Sequence, residues 1–165
     1  MSSADENRAL ERAISESCKH FRKEHDEFVL KDLQKELVKD FIRKEDIVAV
    51  LPTSYGKSII YMITPHVLRE LAKEKDETSL NPLVIVISPT ISLIEDQMQR
   101  CMDSNLQASR IQDVSCPDFE GFDVVFGSPE QFIENKAVNI LLSNQVLRSR
   151  LHGIVIDEAH LVVKW

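Results

Sequence analysis

The sequence predicts an α/β fold: one parallel β-sheet flanked by helices, preceded by an N-terminal helical extension. Three observations carry this. Short apolar runs at 46–51, 83–88, 123–128 and 153–160 alternate with stretches of helical periodicity. Uninterrupted apolar runs of that length suit strands buried on both faces, the habit of parallel sheets covered by helices. Lys57, Ser88, Ser128 and Asp157 each fall at or just beyond the end of such a run, where open α/β sheets place their ligands.

Residues 3–22 read as an amphipathic helix, with Leu10, Ile14, Cys18 and Phe21 on one face. A second helix is expected over about 30–43, with Leu30, Leu33, Leu37 and Phe41 as its apolar stripe. "DIVAVL" at 46–51 reads as a buried strand, and the helix after it runs to about Ala72. Pro65 should kink or break that helix, because it removes a helical N–H. "LVIVIS" (83–88) is a strand, 90–102 a helix and 107–111 a short strand. "DVVFGS" (123–128) is a strand, followed by helical stretches at 129–135 and 137–149, and "GIVIDEAH" (153–160) is the last strand and its exit.

Composition narrows the function classes. The 165 residues suit one ordinary domain, and 43% hydrophobic residues allow a real core. A net charge of −7 argues against a dedicated nucleic-acid clamp and leaves room only for local contacts. Cys18, Cys101 and Cys116 are widely spaced, which supports neither a zinc site nor a disulfide framework and points to a reduced, intracellular protein. The charged N-terminus has no signal-peptide core, and "LVIVI" is far too short to span a membrane.

Two motifs carry chemistry. "AVLPTSYGKSIIY" (49–61) runs from the 46–51 segment into a helix through a loop ending Gly56-Lys57-Ser58. A phosphate loop needs backbone N–H groups at a helix N-terminus, a lysine for the β- and γ-phosphates and a hydroxyl for Mg²⁺. Leu51 stands where the common pattern opens with glycine, and Ser54 and Tyr55 fill positions that are often glycine. Tyrosine cannot adopt positive φ cheaply. A chance Gly-Lys-Ser at a helix start is the plain alternative. The second motif, "IVIDEAH", puts Asp157 at a strand end with Glu158 beside it. In a nucleotide hydrolase the first acid holds Mg²⁺ and the second activates water. Two solvated acids at a strand end are the alternative, which weakens when both motifs occur in this order.

Together "PTSYGKS", "VISPTISLIEDQMQ" and "IVIDEAHLVVKW" resemble motifs I, Ia and II of superfamily 2 helicases, and among these the RecQ family of ATP-dependent DNA helicases. Family texts are close to PTGGGKS, SPLISLMxDQ and DEAHCxSxWGH. The S-L-x-x-D-Q run and Trp165, five residues after His160, favour RecQ. The resemblance covers about 28–165. It implies a RecA-like P-loop domain that binds ATP and Mg²⁺, with residues 1–27 as a helical extension and 28–165 as the first motor domain, truncated after motif II.

By the same resemblance, Thr53, Ser54, Tyr55, Gly56, Lys57 and Ser58 form the phosphate loop. Ser58 and Asp157 hold the metal, Glu158 is the base, and His160 couples nucleotide to DNA near Trp165. Gln34 takes the place of the family's adenine-reading glutamine, with Lys31 or Phe28 packing on the base; a surface helix residue is the alternative for Gln34. Ser88, Pro89, Thr90, Ser128 and Pro129 lie along the implied path of single-stranded or partly duplex DNA, with Asp96 and Gln97 fixing the loop of motif Ia. Each is also an ordinary strand-to-helix cap candidate.

The resemblance implies 3′-to-5′ unwinding by a complete protein, with a second RecA-like domain in cis and no membrane partner. The location implied is nuclear in a eukaryote, cytoplasmic in a bacterium. An arginine finger from the second domain would contribute about 10³ to 10⁵ in rate, so the chain alone is expected to hydrolyse ATP very slowly. The competing expectation is a non-catalytic nucleotide-binding or interaction fragment.

Overall fold

The computed structural model describes residues 3–22, 26–52, 54–77, 80–113, 121–134 and 143–159. The chain forms two compact units, Met1–Leu80 and Asn81–Trp165.

The first unit is helical. It contains α1 (Ser3–Ser17), a 3₁₀ turn (Cys18–Phe21), α2 (Asp32–Ile42) and α3 (Ile59–Glu74). The expected α1 stripe is its core: Leu10, Ile14 and Cys18 pack with Ala13, Leu30, Val38, Ile63 and Val67, and Phe21 lies against them. On α2 the buried face is Gln34, Leu37 and Val38, whereas Leu33 is 47% exposed. The stripe is rotated by about one residue from the expected one, because Gln34 rather than Leu33 turns inward. Lys39 is buried with its ammonium on Glu11 of α1 (2.5 Å) and Glu36 (3.0 Å). Hydrogen bonds to those carboxylates hold its pKa above the ordinary lysine value.

One expectation is narrowed in this unit and another fails. α3 runs through Pro65 to Glu74, close to the expected end near Ala72, so the proline does not break the helix. An interior proline costs roughly 3 kcal/mol, and the burial of Ile63, Thr64, Pro65 and Val67 offsets it. Residues 46–51 are not a strand: Val48 is 94% and Val50 92% exposed. The apolar pattern is a strand pattern, but a strand persists only where a neighbour takes its backbone hydrogen bonds. No described strand pairs with this segment.

The second unit holds the parallel sheet. Its elements are β1 (Leu83–Ile87), α4 (Ile91–Asp103), β2 (Ala108–Arg110), a 3₁₀ turn (Ile111–Asp113), β3 (Val124–Gly127), α5 (Pro129–Glu134), α6 (Gln145–Arg150) and β4 (Leu151–Ile156). The strand order is β2-β3-β1-β4, every pairing parallel. Leu83, Ile85, Ile111, Val125 and Leu147 form one core cluster. Val84, Val86, Val124 and Phe126, which alternate with them, are also fully buried, so β1 and β3 match the expected two-faced strands. Among the described strands β4 lies at the edge, with Ile154 and Ile156 about half exposed. Arg150 ties the strand entrances together, donating to the carbonyls of Asn81 (2.7 Å) and Phe122 (2.9 Å). The helix expected over 137–149 is seen as α6; residues 135–142 lie outside the described set. No helix among the described residues is long and apolar enough to cross a membrane.

Cys101 is fully buried on α4, and burial, reinforced by Asp123, pushes its thiol up to about 12. Its thiolate fraction is therefore negligible at pH 8. Alkylation of Cys101 at pH 8, followed by peptide mass spectrometry, should be absent in the native protein and complete in denaturant. Equal labelling in both states would contradict this packing.

Candidate functional site

The phosphate-loop candidate lies wholly in the first unit. Its chain turns at Tyr55, whose N–H donates to the Pro52 carbonyl (3.1 Å). It then enters α3 through Lys57 and Ser58, whose carbonyls accept the first helical bonds from Ile60 and Met62. The exposed N–H groups and positive dipole end of such a helix favour an anion. The left-handed backbone falls on Ser54 (φ 67°) and Gly56 (φ 87°). Tyr55 is spared the conformation it could not adopt cheaply, and the cost falls on Ser54, about 1–2 kcal/mol.

Gln34 holds this loop. Its amide nitrogen donates to the carbonyls of Tyr55 (2.9 Å) and Gly56 (3.3 Å). Its amide oxygen accepts from the Lys31 N–H (2.9 Å), which caps α2. Gln34 is buried, so it is not the surface helix residue that the sequence left as an alternative. Lys31 also closes on the loop: its ammonium sits 4.2 Å from the centre of the Tyr55 ring and 3.4 Å from the Tyr55 carbonyl oxygen. Phe28 packs with Phe21 and the helical core. Thr53 lies outside the described residues.

The acidic pair lies wholly in the second unit, at the end of β4. The Asp157 N–H donates to the Ile87 carbonyl (2.9 Å), extending the β1–β4 ladder by one bond. One Asp157 carboxylate oxygen accepts from the Glu158 N–H (3.0 Å), and the other accepts from the Gln97 side-chain amide of α4 (2.8 Å). Glu158 takes a left-handed backbone, φ 53°, a conformation that non-glycine residues hold only when surroundings enforce it. Two carboxylates here offer hard oxygen donors, suited to a hydrated Mg²⁺. No cluster of three or more His, Cys, Asp or Glu suited to a metal occurs among the described residues.

The other predicted residues fall in strand-to-helix turns of this unit. Ser88 is fully buried and its hydroxyl has no partner among the described residues. Pro89 is half-buried and Thr90 is exposed. Thr90 precedes α4 in extended backbone. Ser128 and Gln131 form a reciprocal cap on α5: the Ser128 N–H donates to the Gln131 side chain (2.9 Å) and the Gln131 N–H to the Ser128 hydroxyl (3.4 Å). A hydrogen bond from Ser128 holds the Glu130 carboxyl below its ordinary pKa. Pro129 occupies the first position of that helix, where its missing N–H costs nothing. His160 and Trp165 lie outside the described residues.

Sequence reasoning missed the Gln97–Asp157 bond and the Lys31–Tyr55 contact, which join residues 60 and 24 positions apart. The Ser128 cap is the strand-to-helix cap that the sequence offered as an alternative, with Ser-x-x-Gln spacing as its local signal.

Comparison with known proteins agrees with the motif pattern. Residues 31–165 match the family model described as DEAD/DEAH box helicase. The chain is 31% identical over 142 residues to "ATP-dependent DNA helicase RecQ" of Synechocystis, covering 80% of this chain and 27% of that protein. It is 31% identical over 142 residues to "ATP-dependent helicase SGS1" of Saccharomyces cerevisiae, covering 80% of this chain and 9% of the relative. For "ATP-dependent helicase wrn-1" of Caenorhabditis elegans the identity is 26%, over 82% of this chain and 12% of the relative. The chain thus spans about a quarter or less of each of these three relatives. With the loop, the acidic strand end and these similarities in agreement, the chain belongs to the DEAD/DEAH box helicase family, and its likeness there is to the RecQ-type members.

Proposed function

We propose that residues 28–165 are the ATP-binding first motor domain of a RecQ-like helicase, which couples ATP hydrolysis to 3′-to-5′ DNA unwinding in the complete protein. The observation that carries this is the loop: left-handed Ser54 and Gly56, latched by Gln34, deliver Lys57 and Ser58 to a helix N-terminus. Lys57 binds the β- and γ-phosphates, Ser58 and Asp157 hold Mg²⁺, and Gln34 reads adenine. Mg²⁺, when bound, neutralises phosphate charge as the γ-phosphoryl group leaves. Glu158 takes a proton from the attacking water as its oxygen bonds the γ-phosphorus and the bond to the β-bridging oxygen breaks, giving ADP and phosphate. Exposed Thr90, with the turns at Pro89 and Ser128-Pro129, contacts DNA phosphates without reading bases. His160 and Trp165 couple the two ligands. A second RecA-like domain in cis supplies the remaining transition-state charge, and the place of action is nuclear in a eukaryote.

Lys57→Ala removes a charge-assisted contact of about 1.5–3 kcal/mol. Isothermal titration with Mg·ATP should show affinity falling at least about tenfold. Matching titrations for wild type and variant would sink the assignment. The occupied Gln34 amide and the Lys31–Tyr55 contact favour one second reading, a nucleotide-binding module without turnover. Single-turnover hydrolysis with and without single-stranded DNA separates the two.

A further inference from the structure

Gln97 occupies a place that packing alone does not explain. It sits on the buried face of α4 with Ile94 and Cys101, where an aliphatic residue would satisfy the core. Its amide nitrogen is committed to Asp157 at 2.8 Å. Its amide oxygen is buried without a donor among the described residues, although the residue is only 4% exposed. A buried acceptor left unsatisfied is uncommon and calls for a ligand or a water. Ser88 repeats the pattern. Its hydroxyl is also buried and has no partner among the described residues, and it follows Ile87, which pairs with Ile156, so it stands next in register to Asp157. Two unpartnered polar atoms therefore accompany one carboxylate, and Asp157 is already oriented by both of its oxygens.

We propose that Gln97 is a positioning residue for divalent-cation binding: its amide nitrogen fixes the Asp157 carboxylate, and its unpartnered oxygen accepts from a water of the hydrated cation. This rests on the reading of Asp157 as a metal-holding acid. The amide suits both tasks because it donates on one side and accepts on the other. A carboxylate at 97 would repel Asp157, and an aliphatic side chain would do neither. Because α4 begins directly after the Thr90 turn, Gln97 also joins that turn's helix to the cation site.

The test uses the full chain, Mn²⁺ as probe and a non-hydrolysable ATP analogue. Mn²⁺ affinity is read by electron paramagnetic resonance, and analogue affinity is measured separately in EDTA. Gln97→Met, similar in volume, should lose about tenfold or more in Mn²⁺ affinity, as removal of an outer-shell partner does, while its affinity in EDTA stays at the wild-type value. Gln97→Asn, which keeps an amide too short to reach Asp157, should show the same loss and guards against a misfolded Met variant. Unchanged Mn²⁺ affinity in both variants would overturn the proposal. So would an equal fall with and without metal, which marks a role in packing only. A wild-type protein that binds neither analogue nor Mn²⁺ would overturn the nucleotide reading, and this proposal with it.

Discussion

Gly56→Ala should weaken Mg·ATP binding by about a hundredfold. Gly56 sits at φ 87°, and a Cβ there would lie 2.8 Å from the Gln34 amide nitrogen. The left-handed backbone costs an alanine about 1–2 kcal/mol. The overlap is with the end of a side chain, so Gln34 would swing away. It would then lose its bonds to Tyr55 and Gly56, each contributing roughly 0.5–1.5 kcal/mol. The terms add to about 2–5 kcal/mol, and each 1.4 kcal/mol is tenfold in affinity. Ser54 and Gly56 are exposed, so the melting temperature should change far less than binding. Ser54→Gly is the control. It removes left-handed strain instead of adding it, so it should bind at least as well as wild type. Titration calorimetry on the three proteins checks both statements. A Gly56→Ala protein within threefold of wild type would mean that the loop geometry does not govern nucleotide binding.

The legible parts of this chain are those fixed by local rules. The α1 stripe and the apolar runs at 83–88 and 123–128 become a helix face and two buried strands because periodicity alone specifies them. The helix start after Gly-Lys-Ser and the strand end before Asp157-Glu158 are legible for the same reason. The failures are non-local. Residues 46–51 have strand composition, but pairing depends on a partner that composition does not name. Gln34 looked like a choice between adenine reader and surface residue; its structural use lies in a loop 21 and 22 residues away. Gln97 meets Asp157 across 60 residues, a contact that only the folded sheet creates. Tyr55 looked like a steric fault until the backbone moved the positive φ to its neighbours.

Gln34→Ala should lower affinity for ATP, GTP and inorganic tripolyphosphate together, with ATP falling most. An adenine reader must donate one amide hydrogen to N7 and accept from N6. In this chain both amide hydrogens already reach loop carbonyls, and the oxygen already accepts from Lys31. The oxygen has a second lone pair to spare, but the nitrogen has no third hydrogen. Reading adenine therefore means releasing a loop carbonyl, and the longer bond, to Gly56 at 3.3 Å, is the one to give up. Truncation removes the latch as well as the reader. The two loop bonds, at roughly 0.5–1.5 kcal/mol each, put the common loss at about 1–3 kcal/mol, or some fivefold to a hundredfold. Tripolyphosphate has no base, so its loss measures the latch alone. The further fall of ATP relative to GTP measures base reading, because guanine presents an acceptor where adenine presents N6–H. Competition binding of the three ligands at fixed Mg²⁺ separates the two roles. Unchanged tripolyphosphate affinity would remove the latch, and an unchanged ATP-to-GTP ratio would remove Gln34 from the base while leaving it on the loop.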